Sequence, residues 1–207
     1  MEKCIGKILG VYKNQLELDE GQEAILRYSL HLIMSMFLGY FLALVLAKAL
    51  GIFSYVLIIM LTISILRSCS GGAHCESMWN CAIFSMIVAN ALGFLTKMVV
   101  PTKEIILSAI VFVFLFGLWS ISKYAPADTP QKPITSIEKI KKLKVKSLVI
   151  LLVWCFFNVG YYLLFNKVHG IMLASSLGIL CQCFSITKIG YKLWQQSDIL
   201  LNKILRK

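Results

Sequence analysis

The run Arg67-Ser68-Cys69-Ser70-Gly71-Gly72-Ala73-His74-Cys75-Glu76-Ser77-Met78-Trp79-Asn80-Cys81 holds three of the seven cysteines and one of the three histidines. An imidazole can take a thiol proton and leave a thiolate–imidazolium pair that attacks a carbonyl. Cys81 is the preferred nucleophile, because it opens an apolar run. A helix N-terminus there favours an anion through its dipole and its unpaired N–H groups. The same groups can stabilise the oxyanion of a tetrahedral intermediate. Arg67 adds a positive charge that can pair with a carboxylate or steady the loop. His74 and Cys81 are seven apart, which is about 10 Å along one unbroken helix. A working pair must come within about 3–4 Å. The chain must therefore leave the helix between them, and Gly71-Gly72 supplies the freedom to fold the histidine back.

Two other readings stay open on these residues alone. Cys69, His74, Cys75 and Cys81 could form a Cys₃His metal set, although the C-x₅-C spacing is looser than the usual knuckle. The run could also be a plain connecting loop with incidental cysteines, since one Cys/His combination is a weak signal.

The elements that must position this loop are membrane helices. Of the 207 residues, 58% are hydrophobic and only 15% charged, yet the formal net charge is +11. Soluble domains carry roughly 25% charged residues. Disorder is excluded by the apolar content. So apolar a chain is not a soluble nucleic-acid binder, despite its basic charge. About 20 apolar residues span the roughly 30 Å hydrocarbon core as a helix. Six stretches qualify, at about Tyr28–Ala47, Ala49–Leu66, Cys81–Val100, Ile105–Ser122, Ser147–Phe165 and Ile171–Thr187. Helices satisfy their backbone internally, and the runs lack the alternation of a membrane barrel. We therefore expect an all-α, polytopic membrane protein with about six transmembrane helices, as one membrane-embedded domain over residues 1–207. The first two spans should form a tight hairpin.

Both ends outside the spans read as amphipathic helices on the membrane surface. At the start, Ile5, Ile8, Leu9, Tyr12 and Leu16 alternate with lysines at helical spacing. At the end, Ile189, Leu193, Leu200, Leu201, Ile204 and Leu205 do the same. No cleavable signal peptide is expected, because residues 1–20 have no continuous apolar core. With the N-terminus inside, only Lys48, Lys97, Lys103 and Lys167 of the 21 Lys and Arg residues fall outside. That asymmetry predicts cytoplasmic termini and puts the Arg67–Cys81 loop in the cytoplasm, where thiols stay reduced. Cys155, Cys181 and Cys183 read as packing residues within spans. His31 and His169 read as interfacial residues. The lysine-rich loop Lys139–Lys146 reads as a topology determinant with affinity for anionic lipid, or as a capture site for an acidic peptide tail.

The rival class is a non-enzymatic membrane transporter or partner subunit. Asn90, Asn158 and Gln182 lie within spans and could line a path, although joining helices is the commoner use of such residues. No span carries an acidic residue at its centre, which weakens a proton-coupled transporter.

The pattern R-x₄-G-x-H-x₆-C, here Arg67, Gly72, His74 and Cys81, resembles the AgrB family of accessory gene regulator membrane endopeptidases. A second segment, Tyr124-Ala125-Pro126-Ala127-Asp128-Thr129-Pro130-Gln131-Lys132-Pro133-Ile134, is similar to that family's proline-containing loop. The prolines by themselves need only stop the fourth helix and set an extended turn.

The resemblance covers essentially the whole chain. It implies a cysteine endopeptidase of the bacterial cell membrane that removes the C-terminal tail of an AgrD-like quorum-sensing propeptide. By position it makes Cys81 the nucleophile, His74 its base, and Arg67 and Gly72 supporting residues. It implies a thioester acyl-enzyme, then thiolactone or lactone closure of the autoinducing peptide. It implies no cofactor and no resident metal. The expected partners are the propeptide, membrane lipid and a second copy of the chain, with no nucleic acid.

Overall fold

The computed structural model describes residues 6, 9–10, 12, 19–73, 77–127 and 136–205. Helices dominate them: α1 (Glu20–Ala49), α2 (Phe53–Ser70), α3 (Met78–Met98), α4 (Lys103–Tyr124), α5 (Ile137–Phe165), α6 (Gly170–Ser185) and α7 (Lys188–Leu205). The helices α1 to α5 are each long and apolar enough to cross a membrane, and the bent pair α6–α7 makes a sixth candidate. The all-α, polytopic expectation holds.

Several boundaries move for local reasons. Asp19 caps α1: its carboxylate accepts from the Gln22 N–H, and the Asp19 N–H donates to the Gln22 side chain. Such a capping box satisfies two of the orphan donors at a helix start. The second span starts at Phe53 rather than near Ala49, because the turn Leu50-Gly51-Ile52 separates it from α1. The expected lysine-rich loop is helix. Ser136 caps α5 through the Lys139 N–H, and residues 139–146 form its first turns. Lysine is a good helix former, so the apolar run extends into a charged stem. Lys144 Nζ donates to the Ser122 carbonyl at 2.6 Å and ties that stem to the end of α4.

The last span is shorter than a bilayer. The 16 residues of α6 rise about 24 Å, against roughly 30 Å of hydrocarbon. At Ser185 the chain turns, and α7 leaves at 87° to α6. α7 is basic and amphipathic, a composition that suits a membrane surface. Of the N-terminal counterpart, Gly6, Leu9, Gly10 and Tyr12 are described and are helical; the rest of that segment lies outside the described residues.

α6 is the inner helix of the assembly. Met172, Leu173, Ala174, Ser176, Ile179 and Cys183 are all buried on it. It packs with Leu66 of α2, Ile106, Ile110, Val113 and Ile121 of α4, and Leu151 and Trp154 of α5. A second cluster joins Ala43 and Ala47 of α1 to Val56 and Met60 of α2 and Ala89 of α3. Lipid tails are as apolar as these side chains, so close packing and interhelical hydrogen bonds must hold the helices together. Gly178 permits one such approach: a Cβ there would lie 3.0 Å from the Ile59 carbonyl oxygen. Outward faces are strongly apolar, with Phe156, Phe157, Leu163 and Leu164 of α5 all exposed.

The polar residues within spans join helices. Asn90 Nδ2 donates to the Ala43 carbonyl at 3.2 Å and to its own helix at Met86. Trp154 Nε1 donates to Ser175 Oγ at 3.1 Å, and that hydroxyl donates within its own helix to the Met172 carbonyl at 2.9 Å. Interhelical hydrogen bonds of this kind contribute about 0.6 kcal/mol each on average.

Candidate active site

The chain leaves the helix between Arg67 and Cys81, as a thiol–imidazole pair requires. α2 stops at Ser70, Gly71 to Ala73 are non-helical, and Ser77 is extended before α3 begins at Met78. His74, Cys75 and Glu76 lie outside the described residues. So does half of the candidate metal set Cys69, His74, Cys75 and Cys81.

Three neighbours fix the start of this loop. The first is Arg67, whose guanidinium donates to the Ala73 carbonyl. That contact brings the guanidinium against Gly72. A Cβ on Gly72 would lie 3.0 Å from Arg67 Nη1, 3.2 Å from Cζ and 3.3 Å from Ser185 Oγ. Gly72 also has φ +151, where a side chain is strained. The Arg67 and Gly72 of the sequence pattern are thus one packing unit, an arginine fork laid on a residue without a side chain.

The second neighbour is Gln182 of α6, which is 1% exposed. Its Nε2 donates to Ser70 Oγ at 2.9 Å and to the Gly71 carbonyl at 2.8 Å. A buried amide costs free energy unless it is hydrogen-bonded, and here the loop supplies the partners.

The third neighbour is the proline-containing segment after α4. Gly71 and Ala127 form an isolated parallel bridge. The Ala127 N–H donates to the Ser70 carbonyl at 2.8 Å, and the Gly72 N–H donates to the Ala127 carbonyl at 3.3 Å. Gly71 has φ +68 and ψ −155, and a Cβ on it would overlap the Ala127 carbonyl oxygen. Two motifs more than fifty positions apart therefore meet backbone to backbone. Residues 128–135 lie outside the described set, so the later prolines of that segment are not placed.

Cys81 is the fourth residue of α3 rather than its first. Its N–H donates to the Ser77 carbonyl at 3.0 Å, so it already serves the helix. Helix geometry leaves the preceding N–H groups, on Met78, Trp79 and Asn80, without acceptors inside α3. Any oxyanion donors at this terminus are those groups.

Cys81 and Arg67 line one cavity of about 280 Å³. Its walls come from α1 (Met36, Gly39, Tyr40), α2 (Met60, Ile63, Ser64), α3 (Ser85, Val88, Ala89), α6 (Cys181, Gln182, Ser185) and α7 (Trp194). Most of the surface is apolar. Tyr40 Oη donates to the Met60 carbonyl at 2.7 Å and shares a 2.6 Å hydrogen bond with Ser64 Oγ, so those polar walls are satisfied internally.

α7 adds residues that the sequence reading passed over. Asn80, beside Cys81, donates from Nδ2 to Asp198 Oδ1 at 2.7 Å and to Asn202 Oδ1 at 2.9 Å. Phe84 meets Trp194 edge-to-face at 4.8 Å between ring centroids. Asn80 and Phe84 are one turn apart on α3, and Trp194, Asp198 and Asn202 are each one turn apart on α7. The available signal was a lone acid four residues after a tryptophan in a basic helix.

A family model described as accessory gene regulator B matches residues 5–186. A protein named AgrB-like in Clostridium perfringens (strain SM101 / Type A) is 33% identical over 200 residues, covering 93% of this chain and 94% of its own. A second from C. perfringens (strain 13 / Type A) is 32% identical over the same coverage. Accessory gene regulator protein B of Staphylococcus intermedius is 33% identical over 105 residues, 51% of this chain and 53% of its own. No solved structure matches. With Arg67 packed on Gly72, Arg67 and Cys81 on one cavity, and a match running nearly end to end, the chain belongs to the accessory gene regulator B (AgrB) family.

Proposed function

We propose that this protein is a membrane cysteine endopeptidase that cleaves the C-terminal tail from an AgrD-like propeptide and promotes ring closure of the released signal. The observation that carries the reading is the position of Cys81. It lies in the first turn of α3, on the wall of an apolar cavity, beside an arginine-braced loop that leads into His74.

Cys81 attacks the scissile carbonyl after losing its proton to His74, which then protonates the leaving amine. The first-turn N–H groups of α3, on Met78 to Asn80, stabilise the oxyanion. The acyl group is left as a thioester on Cys81. A nucleophile of the propeptide, thiol or hydroxyl, then attacks that thioester and closes a thiolactone or lactone. Exchange of one thioester for another is close to neutral, whereas hydrolysis is strongly downhill. The site must therefore keep water away from the acyl-enzyme, and an apolar cavity suits that need.

The same reading makes the protein a multi-pass enzyme of the bacterial cell membrane with both termini in the cytoplasm. The loop then faces the compartment in which a new propeptide appears. Likeness to the family adds homodimerisation.

The test is incubation of purified protein in lipid vesicles with its cognate propeptide. Wild type should release the C-terminal fragment, and Cys81→Ser and His74→Ala should not. Release by Cys81→Ala at the wild-type rate would remove the assignment.

A further inference from the structure

We propose that Trp194 of α7 shields the Cys81 thioester from water and so directs the acyl group to the propeptide thiol. The inference rests on the endopeptidase reading above.

Trp194 lines the same cavity as Cys81. It is held there from two sides of the nucleophile. Its ring packs edge-to-face on Phe84, three residues after Cys81. One turn on along α7, Asp198 accepts from Asn80, the residue before Cys81. A turn further, Asn202 accepts from the same amide. Asn80 is 1% exposed and Asp198 6%. A buried carboxylate is costly unless it is hydrogen-bonded, so this cluster holds α7 in one register against the start of α3.

A helix merely resting on lipid needs no such clamp. Ile189, Leu193 and Leu200, on the side of α7 away from Asp198, are exposed and free to meet the membrane. One helix thus offers an apolar face to lipid and lines the Cys81 cavity with another. It also starts two residues beyond the last position that the family model matches.

Two nucleophiles compete for the acyl-enzyme. If water attacks, the carbonyl carbon gains a C–O bond and its C–S bond to Cys81 breaks. The Cys81 sulfur takes up a proton, and the product is the linear acid. If the propeptide thiol attacks, its sulfur forms the new C–S bond, and Cys81 leaves carrying the proton that the attacking thiol gave up. The propeptide thiol arrives tethered to the acyl group and needs no solvent path. Water does, and an indole on the cavity wall occupies space that water would otherwise fill. Cavity closure thus acts on the ratio of products rather than on cleavage alone.

The experiment uses full-length protein in vesicles with the cognate propeptide in ¹⁸O-water. Mass spectrometry reads the ratio of linear acid, carrying one ¹⁸O, to ring product. Trp194→Ala should raise that ratio at least about tenfold, because the ratio is taken per acyl-enzyme formed and is independent of the cleavage rate. Trp194→Phe, which keeps an aromatic wall, should restore most of the ring product. Trp119→Ala, on α4, should keep the wild-type ratio. If Trp194→Ala fails to insert, Asn202→Ala loosens the clamp and should shift the ratio in the same direction. An unchanged ratio in a variant that still releases the fragment would overturn the proposal, as would a wild type that gives only linear acid. Fragment release by Cys81→Ala would instead remove the endopeptidase reading on which it stands.

Discussion

Gly71 and Ala127 lie face to face, and the Ala127 carbonyl fills the space that a side chain on Gly71 would need. The contact docks the end of α2 onto the segment after α4 through two backbone hydrogen bonds. Gly71→Ala should therefore break the docking, not merely strain it. The backbone conformation alone costs a residue with a side chain about 1–3 kcal/mol. We expect membrane insertion to survive and propeptide cleavage to fall at least about tenfold, since the loop carrying His74 loses one of its three anchors. Cleavage by Gly71→Ala at the wild-type rate in vesicles would show that the docking is dispensable.

Arg67 and Gly72 should behave as one unit. Arg67→Ala removes the donor to the Ala73 carbonyl, and Gly72→Ala pushes the guanidinium away from it. Each should lower cleavage by about 10- to 100-fold, and the double variant should cost little more than the worse single one. Arg67→Lys should not rescue, because a lysine lacks the planar fork that lies over the glycine. A double-mutant cycle on initial cleavage rates checks this. Fully additive losses would separate the two residues.

The candidate site is unequally legible in the sequence. Cys81 stands out locally, as a thiol where an apolar run begins, whereas Arg67 and Gly72 come together only through the family resemblance. The long apolar runs place the spans, although α1 and α5 begin eight and ten residues before the runs do. The charged stem of α5 looks like a loop in the sequence, since polarity alone does not distinguish a loop from a helix that continues out of the apolar zone. Gln182 and Asp198 were harder still. Each is defined by a partner more than a hundred residues away, Ser70 for one and Asn80 for the other. No periodicity records such pairings. The bend after Ser185 was equally silent, although it brings Trp194 to the cavity.

Gln182→Leu keeps roughly the volume of the side chain and deletes both hydrogen bonds to the loop. It leaves Ser70 Oγ and the Gly71 carbonyl to find other partners in an apolar setting. The penalty for such orphaned groups is about 1–3 kcal/mol. We expect a lower unfolding temperature in detergent together with slower cleavage. Gln182→Glu should be worse than Gln182→Leu for the loop, because an ionised carboxylate cannot donate to either acceptor. Thermal unfolding and cleavage measured on the same preparations check both effects. A Gln182→Leu protein with unchanged stability would contradict the role given to this amide.

The lysine stem offers a separation between two uses of charge. Lys139, Lys141, Lys142 and Lys146 are exposed on α5, while Lys144 is tied to the Ser122 carbonyl. Replacing the four exposed lysines by glutamine should weaken association with anionic lipid, at roughly 1 kcal/mol per residue near the surface. In neutral detergent the same protein should cleave an acidic-tailed propeptide with an unchanged KM. A raised KM there, with kcat preserved, would instead assign the stem to capture of the propeptide tail.

Cys69 tests the remaining alternative for the loop. Its Sγ lies 3.6 Å from Ser68 Oγ on the last turn of α2, and it is not among the residues that line the Cys81 cavity. A zinc site built on Cys69, His74, Cys75 and Cys81 would hold four ligands within about 2.0–2.3 Å of one ion and would lose affinity with any one of them. A nucleophile needs only Cys81 and its base. Cys69→Ala and Cys75→Ala should therefore both keep at least about half of the wild-type cleavage rate, and a strong chelator should leave wild type unchanged. Loss of activity in both alanine variants, together with a chelator-induced loss in wild type that added zinc reverses, would return the loop to the metal reading. Loss in Cys81→Ala alone is the pattern that a thiol nucleophile predicts, because a single sulfur then carries the acyl group.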